Sequence, residues 1–300
     1  MKPELIIICG PTCTGKTALG INLAKKIGGE IISADSMAIY ETLDIGTAKP
    51  TREERTEAVH HLIDIVPPER EFSVSEYEFA ALNIIKDIKT RGVTPIIVGG
   101  TGFYINSILY KLSYGESASN LPVREKYFKL AESSGVEAVW NELNEIDPES
   151  AAKIHANDLK RVVRALEIYY ATGKKKSDQH DDLIPRFSYK AYTIGVPRET
   201  LYERINARVD KMFACGLVSE VQGLIDRGIT AKNQCMQGIG YKEVYDGILS
   251  GDSERAKDLV KLNSRRYAKR QITFFKRLPG LINLPANTFD ALDIILNDVK

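Results

Sequence analysis

Leu5-Ile-Ile-Ile-Cys9 runs directly into Gly10-Pro-Thr-Cys-Thr-Gly-Lys-Thr17, and this stretch decides the fold. A short apolar run that stops at glycine reads as a strand buried on both faces, and Lys16–Ile27 has the spacing of a helix. Strand, glycine-framed loop and helix, in that order, are the setting in which G-x-x-x-x-G-K-T binds phosphate. The alternative for such a string is a structural glycine-rich turn. In a phosphate loop the glycines let backbone N–H groups turn inward around an anion, and the helix N-terminus adds partial positive charge. Gly10, Pro11, Thr12, Cys13, Thr14, Gly15, Lys16 and Thr17 are therefore the expected phosphate-binding residues. Lys16 supplies a point charge for the outer phosphate, and Thr17 is suited to hold a magnesium ion.

Working outward, Glu30–Ala34 reads as a second strand and His61–Ile65 as a third. Ser73–Arg91 reads as a helix and Thr94–Val98 as another strand. Ser73 and Glu76 have the spacing of a capping box, and Phe72 with Tyr77 that of a hydrophobic staple. Strands alternating with helices, and apolar runs that do not alternate in and out, point to a parallel sheet covered on both faces. The expected class is α/β, with a P-loop NTPase-like parallel sheet core and a helical insertion domain. After Leu112 the chain turns polar over 113–120 and then reads as successive helices over Val123–Ala171. A second polar break spans 173–182, a strand follows at Lys190–Val196, and Arg198–Arg277 is helical. The expected domains are a core of 1–112 plus 187–300, ending in helices, and an insertion over 113–186.

Composition narrows the function. The chain has 300 residues, 43% hydrophobic and 27% charged, which excludes wholesale disorder. No apolar run approaches the roughly 20 residues that cross a membrane. Four cysteines without metal-binding spacing, and an N-terminus that reaches glycine too early for a secretory signal, fit a reduced cytoplasmic protein. Net charge is +1, so any polyanion must meet a local patch. From Lys257 to Arg277 eight Lys/Arg face one acid, with Tyr267, Phe274 and Phe275 interleaved. From Lys153 to Lys176 seven basic residues face Asp158 and Glu167. Each stretch is either a solvated helix face or a nucleic-acid surface.

The strand at 94–98 runs into Gly99-Gly100-Thr101-Gly102 without the carboxylate that NTPases use to orient magnesium, and no N-K-x-D is present. The loop thus serves something other than ATP or GTP hydrolysis, either a small-molecule kinase or a transferase with a diphosphate leaving group. Asp35 ends the second strand at the sheet edge where α/β proteins bind ligands. It is a helix cap or a carboxylate facing substrate, able to accept a proton. Thr101 is a helix cap, a ligand contact, or both. His60 and His61 have no third ligand nearby, so packing or hydrogen bonding near the sheet edge is expected of them, and Trp140 belongs to a core.

Longer stretches carry a resemblance. They include SADSMAIYETLDIGTAKPT (33–51), HHLIDIVPPE (60–69), VGGTGFYI (98–105) and NDLKRVVRALEIYYATGK (157–174). LYERINARVDKM (201–212), GIGYKE (238–243) and RRYAKRQITFFKR (265–277) extend it through nearly the whole chain. Together with the phosphate loop they resemble the tRNA dimethylallyltransferase family, also called tRNA isopentenyltransferase. The resemblance implies transfer of a dimethylallyl group from its diphosphate to the exocyclic amine of the adenosine 3′ of the anticodon. It implies a helical insertion that helps hold the tRNA anticodon stem-loop. Asp35 becomes the base, Arg208 a bidentate diphosphate contact, and Thr101 a contact to the target nucleotide. Ser36, Met37, Ala38, Arg124, Lys160, Arg161 and Arg164 become tRNA contacts beside Asp35 and Thr101. The expected cofactor is Mg²⁺, and the expected partners are dimethylallyl diphosphate and tRNA, with no membrane and a monomeric chain. One position departs from the family, which usually reads Asp-Ser-x-Gln where this chain has Ala38. A non-catalytic RNA-binding relative therefore stands beside the kinase as an alternative.

Overall fold

The computed structural model describes residues 3–114, 120–179 and 183–300. Two compact units emerge, one of Met1–Leu109 with Arg186–Lys300 and the other of Tyr110–Pro185.

The first unit begins β1 (Leu5–Cys9), α1 (Lys16–Ile27), β2 (Glu30–Ala34), α2 (Arg52–Glu57), β3 (His60–His61), α3 (Val74–Thr90), β4 (Pro95–Gly99) and α4 (Gly102–Leu109). The second unit holds α5 (Leu121–Ser134), α6 (Val136–Ile146), α7 (Pro148–Lys153) and α8 (Leu159–Thr172). The first then resumes with β5 (Tyr189–Ile194), α9 (Arg198–Ala214), α10 (Leu217–Asp226), α11 (Tyr241–Ser250), α12 (Ser253–Phe275), β6 (Leu281–Leu284) and α13 (Thr288–Asp298). The sheet order is β3-β2-β4-β1-β5-β6 and every pairing is parallel.

β1, β2 and β4 are fully buried, and in β1 and β4 the unbroken apolar run requires it, while β2 buries Glu30 and Ser33 as well. α1 packs Leu19, Leu23 and Ala24 against Ile6, Ile8, Ile96 and Val98, and stops at Gly28 in the left-handed region. α3 starts with the expected capping box between Ser73 and Glu76. Cys9 is level with Gly99, and Gly99 with Ala34, so three strands end in one row. A Cβ on Gly99 would lie 2.2 Å from the Ala34 carbonyl oxygen, so glycine lets β2 and β4 close at that row. Gly10, Asp35 and Gly100, the residues next in chain, therefore emerge side by side at the C-terminal edge of the sheet.

The structure corrects the sequence reading in three places. The third strand is only His60–His61, because Leu62 and Asp64 take left-handed φ values of 60° and 54°, which no strand accommodates. α2 was not expected. It starts on a Thr51–Glu54 capping box but buries no residue, so it leaves no hydrophobic periodicity to read. β6 and α13 were not expected either, and α13 closes one face of the sheet with Ala291, Leu292 and Ile295.

The second unit has its own core, with Tyr127, Val139, Leu143, Val162 and Leu166 buried at its centre. Trp140 packs against it and donates its indole N–H to the Ile154 carbonyl at 2.8 Å. The two polar breaks of the sequence reading fall partly outside the described residues.

Candidate active site

A cavity of about 710 Å³ opens at the C-terminal edge of the sheet, within the first unit. The phosphate loop, the turn after β2, the 46–50 loop, Gly99–Gly100 and one side of α9 and α12 line it. The loop has the strained geometry its sequence demands: Gly10 and Gly15 have φ of 125° and 93°, and Cys13 has φ 63°. The Lys16 ammonium donates to the Pro11 carbonyl across the loop, and the Thr14 hydroxyl donates to the same oxygen at 3.0 Å. Burial of the Lys16 ammonium, with the Arg208 guanidinium nearby, pushes its pKa down to about 8, and Asp35 offsets part of this. Cys9, behind the loop, is buried and its thiol is pushed up to about 12.

Arg208 reaches the loop from α9. Its Nη1 donates to Thr12 Oγ1 at 2.9 Å, and its Nη2 donates to the Thr47 carbonyl at 3.0 Å. Two cations thus converge where an anion would sit. Opposite them, Asp35 Oδ1 accepts the N–H groups of Met37 and Ala38 at 2.9 and 3.2 Å. The cap reading of Asp35 thus holds for one oxygen, and Oδ2 makes no hydrogen bond among the described residues. Thr101 Oγ1 accepts the Ser36 N–H at 3.0 Å, so its hydroxyl is turned to the Asp35 turn and not to the start of α4. Phosphate loop and carboxylate line one cavity, and the Thr101 hydroxyl is bonded to the turn that carries the carboxylate.

A family model described as IPP transferase matches residues 38–278, and one described as isopentenyl transferase matches residues 3–64. The chain belongs to the IPP transferase family. A tRNA dimethylallyltransferase of Caldanaerobacter subterraneus subsp. tengcongensis is 47% identical over 289 residues, covering 92% of this chain and 90% of that protein. One from Alkaliphilus oremlandii is 45% identical and covers 100% and 98%. The full-length tRNA isopentenylpyrophosphate transferase of Bacillus halodurans superposes with TM-score 0.73 at 39% identity, covering 98% and 96%. A eukaryotic dimethylallyltransferase solved acting on tRNA superposes with TM-score 0.83 at 32% identity, covering 98% of this chain and 76% of that one.

In this IPP transferase the remaining expected site residues differ in setting. Ala38 is 4% exposed, lines the cavity, and donates its N–H to Asp35 Oδ1, a bond that any non-proline residue supplies. In the second unit, Lys160 and Arg161 are exposed on α8, with Arg161 3.6 Å from Asp158. Arg164 donates to the Tyr114 carbonyl at 2.6 Å and lies 3.6 Å from Glu167. Arg124 donates to Glu167 at 3.1 Å, and the Glu167 side chain is fully buried. Both arginines are tied into the core of their unit. His60 and His61 bond to the Ala58 carbonyl and to Glu30, each at 2.8 Å. Among the described residues no three His, Cys, Asp or Glu cluster as a metal site, and no helix is long and apolar enough to cross a membrane.

Sequence reading missed Gln271, Lys49 and Glu220. Gln271 is 5% exposed on α12 and bonds both Thr12 N–H and the Gly100 carbonyl. Lys49 is buried and donates to the Tyr40 carbonyl, Asp44 and Asp64. Both stand inside motifs quoted above, yet the partners of Gln271, and Asp64 among those of Lys49, lie in other motifs, and no local spacing names them.

Proposed function

We propose that this enzyme transfers the dimethylallyl group of dimethylallyl diphosphate to the exocyclic amine of the adenosine 3′ of the anticodon, giving N6-dimethylallyladenosine in tRNA. The observation that carries the reading is the opposition, in one cavity, of a two-cation phosphate cradle and a carboxylate with an uncommitted oxygen.

An adenine amine is a weak nucleophile because its lone pair is delocalised into the ring. An allylic carbon becomes a strong electrophile once its departing diphosphate is neutralised. Lys16, Arg208 and the inward N–H groups of 10–17 hold that developing charge in fixed positions. Asp35 Oδ2 takes the amine proton as the C–N bond forms and the C–O electron pair leaves with diphosphate. Capping of Oδ1 by Met37 and Ala38 fixes the carboxylate's direction. Thr101, bonded to the same turn, contacts the target nucleotide.

The donor set here, one hydroxyl at Thr17 and few carboxylates, fits a magnesium ion that arrives on the diphosphate, since magnesium keeps much of its coordination as water and substrate oxygens. When bound it supplies further neutralisation of the leaving group. The insertion serves tRNA through Lys160 and Arg161, with Arg124 and Arg164 holding the helix that presents them. A target adenosine splayed from a single-stranded loop exposes the amine this chemistry needs.

The test is transfer of label from dimethylallyl diphosphate to unmodified tRNA with magnesium, followed by digestion and mass analysis of the labelled nucleoside. Dimethylallyladenosine is the expected product. Label in no nucleoside, with tRNA binding intact, would reduce the chain to a non-catalytic relative.

A further inference from the structure

The D-I-G-T-A-K-P stretch, 44–50, has no role in the chemistry above, yet it meets Arg208. The Thr47 carbonyl is one of the two oxygens that hold the Arg208 guanidinium. Thr47 donates its own hydroxyl to the Leu43 and Asp44 carbonyls, and the three residues before it are held by a carboxylate from another element. Glu220, on α10, accepts the Asp44 and Ile45 N–H groups on Oε2 at 2.9 and 2.8 Å, and the Gly46 N–H on Oε1 at 3.2 Å. The Tyr241 hydroxyl donates to Oε1 at 2.7 Å. Four donors fill the four lone-pair positions of the carboxylate.

Three successive N–H groups aimed at one anion form a concave nest, and here the anion is internal. Gly46 lies flat on the Tyr241 ring, where a Cβ would come within 2.5 Å of Cε2. At its far end the stretch is held by the buried Lys49, which bonds the Tyr40 carbonyl and Asp64. Three motifs thus converge on one loop: 44–50, the H-H-L-I-D of 60–64 and the G-I-G-Y-K-E of 238–243.

We propose that Glu220 is a positioning residue that acts through the 44–47 loop to set Arg208 for the departing diphosphate. The inference rests on the reading of Arg208 as a diphosphate contact. A long guanidinium side chain held in place beforehand does not have to be ordered when the anion arrives, and that difference belongs to donor affinity. Glutamine at 220 keeps the shape but turns an N–H₂ toward N–H donors, so the nest loses its anion.

The probe is inorganic diphosphate with magnesium, titrated calorimetrically into wild type, Arg208→Ala, Glu220→Gln and the double variant, with a thermal melt of each. Arg208→Ala is expected to weaken binding about 30-fold and Glu220→Gln about tenfold, while the double variant stays within about twofold of Arg208→Ala. A merely structural Glu220 would lower the melting temperature and multiply with Arg208→Ala; that result, or a folded Glu220→Gln with wild-type affinity, overturns the proposal. If Glu220→Gln does not melt cooperatively, Tyr241→Phe removes one of the four donors. It should weaken diphosphate about threefold in the wild-type background and not at all on Arg208→Ala. Wild-type affinity for Tyr241→Phe in that case overturns the proposal. Unchanged affinity in Arg208→Ala removes Arg208 from the cradle and this inference with it. A change there but not in Glu220→Gln removes the inference alone.

Discussion

The Gln271 amide oxygen accepts the Thr12 N–H at 3.0 Å, so the phosphate loop is bonded to a helix 259 residues further along the chain. The same amide donates from Nε2 to the Gly100 carbonyl at 2.9 Å. One buried side chain therefore sets the separation between the donor cradle and the loop that carries Thr101. Gly100 has no room for a larger residue, since a Cβ there would lie 2.2 Å from Gln271 Nε2.

Gln271→Leu keeps the volume and removes both bonds. The Thr12 N–H loses its side-chain acceptor, and the Gly100 carbonyl keeps only the long bond from the Tyr267 hydroxyl at 3.4 Å, at a cost of about 1–3 kcal/mol for a buried group. Loosened alignment of two reactants costs turnover more than affinity. The expected outcome is a lower melting temperature with kcat reduced about tenfold and both KM values within about threefold. Melting and saturation kinetics on one preparation check it; unchanged kcat would mean that the two loops hold their spacing without the amide.

Asp35→Asn is a sharper test of the base than alanine, because an asparagine carbonyl still caps Met37 and Ala38. The turn should survive and only the proton acceptor be lost. Turnover should fall by about 10²–10⁴, the span of general base catalysis, with tRNA affinity within about threefold. Single-turnover chemistry at saturating substrates measures this directly. Activity near wild type would take the proton away from Asp35.

The sequence revealed the site where its signals are local. β1, α1 and β2 coincide with their expected bounds because turn glycines and apolar runs delimit them within a few residues. The capping box at Ser73 is likewise a three-residue signal. What escaped notice either buries nothing, as α2 does, or depends on partners far away in the chain. Glu220 meets the 44–46 loop across about 175 residues, and its role is invisible until α10 is folded against that loop. The setting of Arg124 and Arg164 was hidden in a different way. Their charge is legible, but the burial of Glu167, which occupies them, is a property of the packed unit.

Donor binding should depend on pH through Lys16. In the free enzyme burial and Arg208 hold its pKa near 8, so the ammonium is charged below that pH and neutral above it. Diphosphate prefers the charged form and raises the pKa on binding. Affinity should then be flat below about pH 8 and weaken by up to about tenfold per unit above it. Titration of inorganic diphosphate between pH 7 and 9.5 reads this out. Lys16→Arg, whose guanidinium does not titrate in that range, should flatten the profile even where it binds more weakly. A wild-type profile flat through pH 9 would place the ammonium's ionisation elsewhere.

Lys160 and Arg164 share a face of α8 by spacing, but their surroundings predict different variants. Lys160 is exposed, whereas Arg164 bonds the Tyr114 carbonyl at 2.6 Å and stands beside the fully buried Glu167. Lys160→Ala should raise the KM for tRNA about threefold to tenfold, reduce the salt dependence of binding by about one counterion, and leave the melt unchanged. Arg164→Ala should raise the same KM and also destabilise the protein by about 1–3 kcal/mol, because it removes the bond to the Tyr114 carbonyl and leaves the buried Glu167 with one cation fewer. Neither should alter the KM for dimethylallyl diphosphate. Tight tRNA binding in both variants, at all salt concentrations, would move the RNA contact off this helix. Equal melts would show that the Arg164 bonds contribute nothing to the fold.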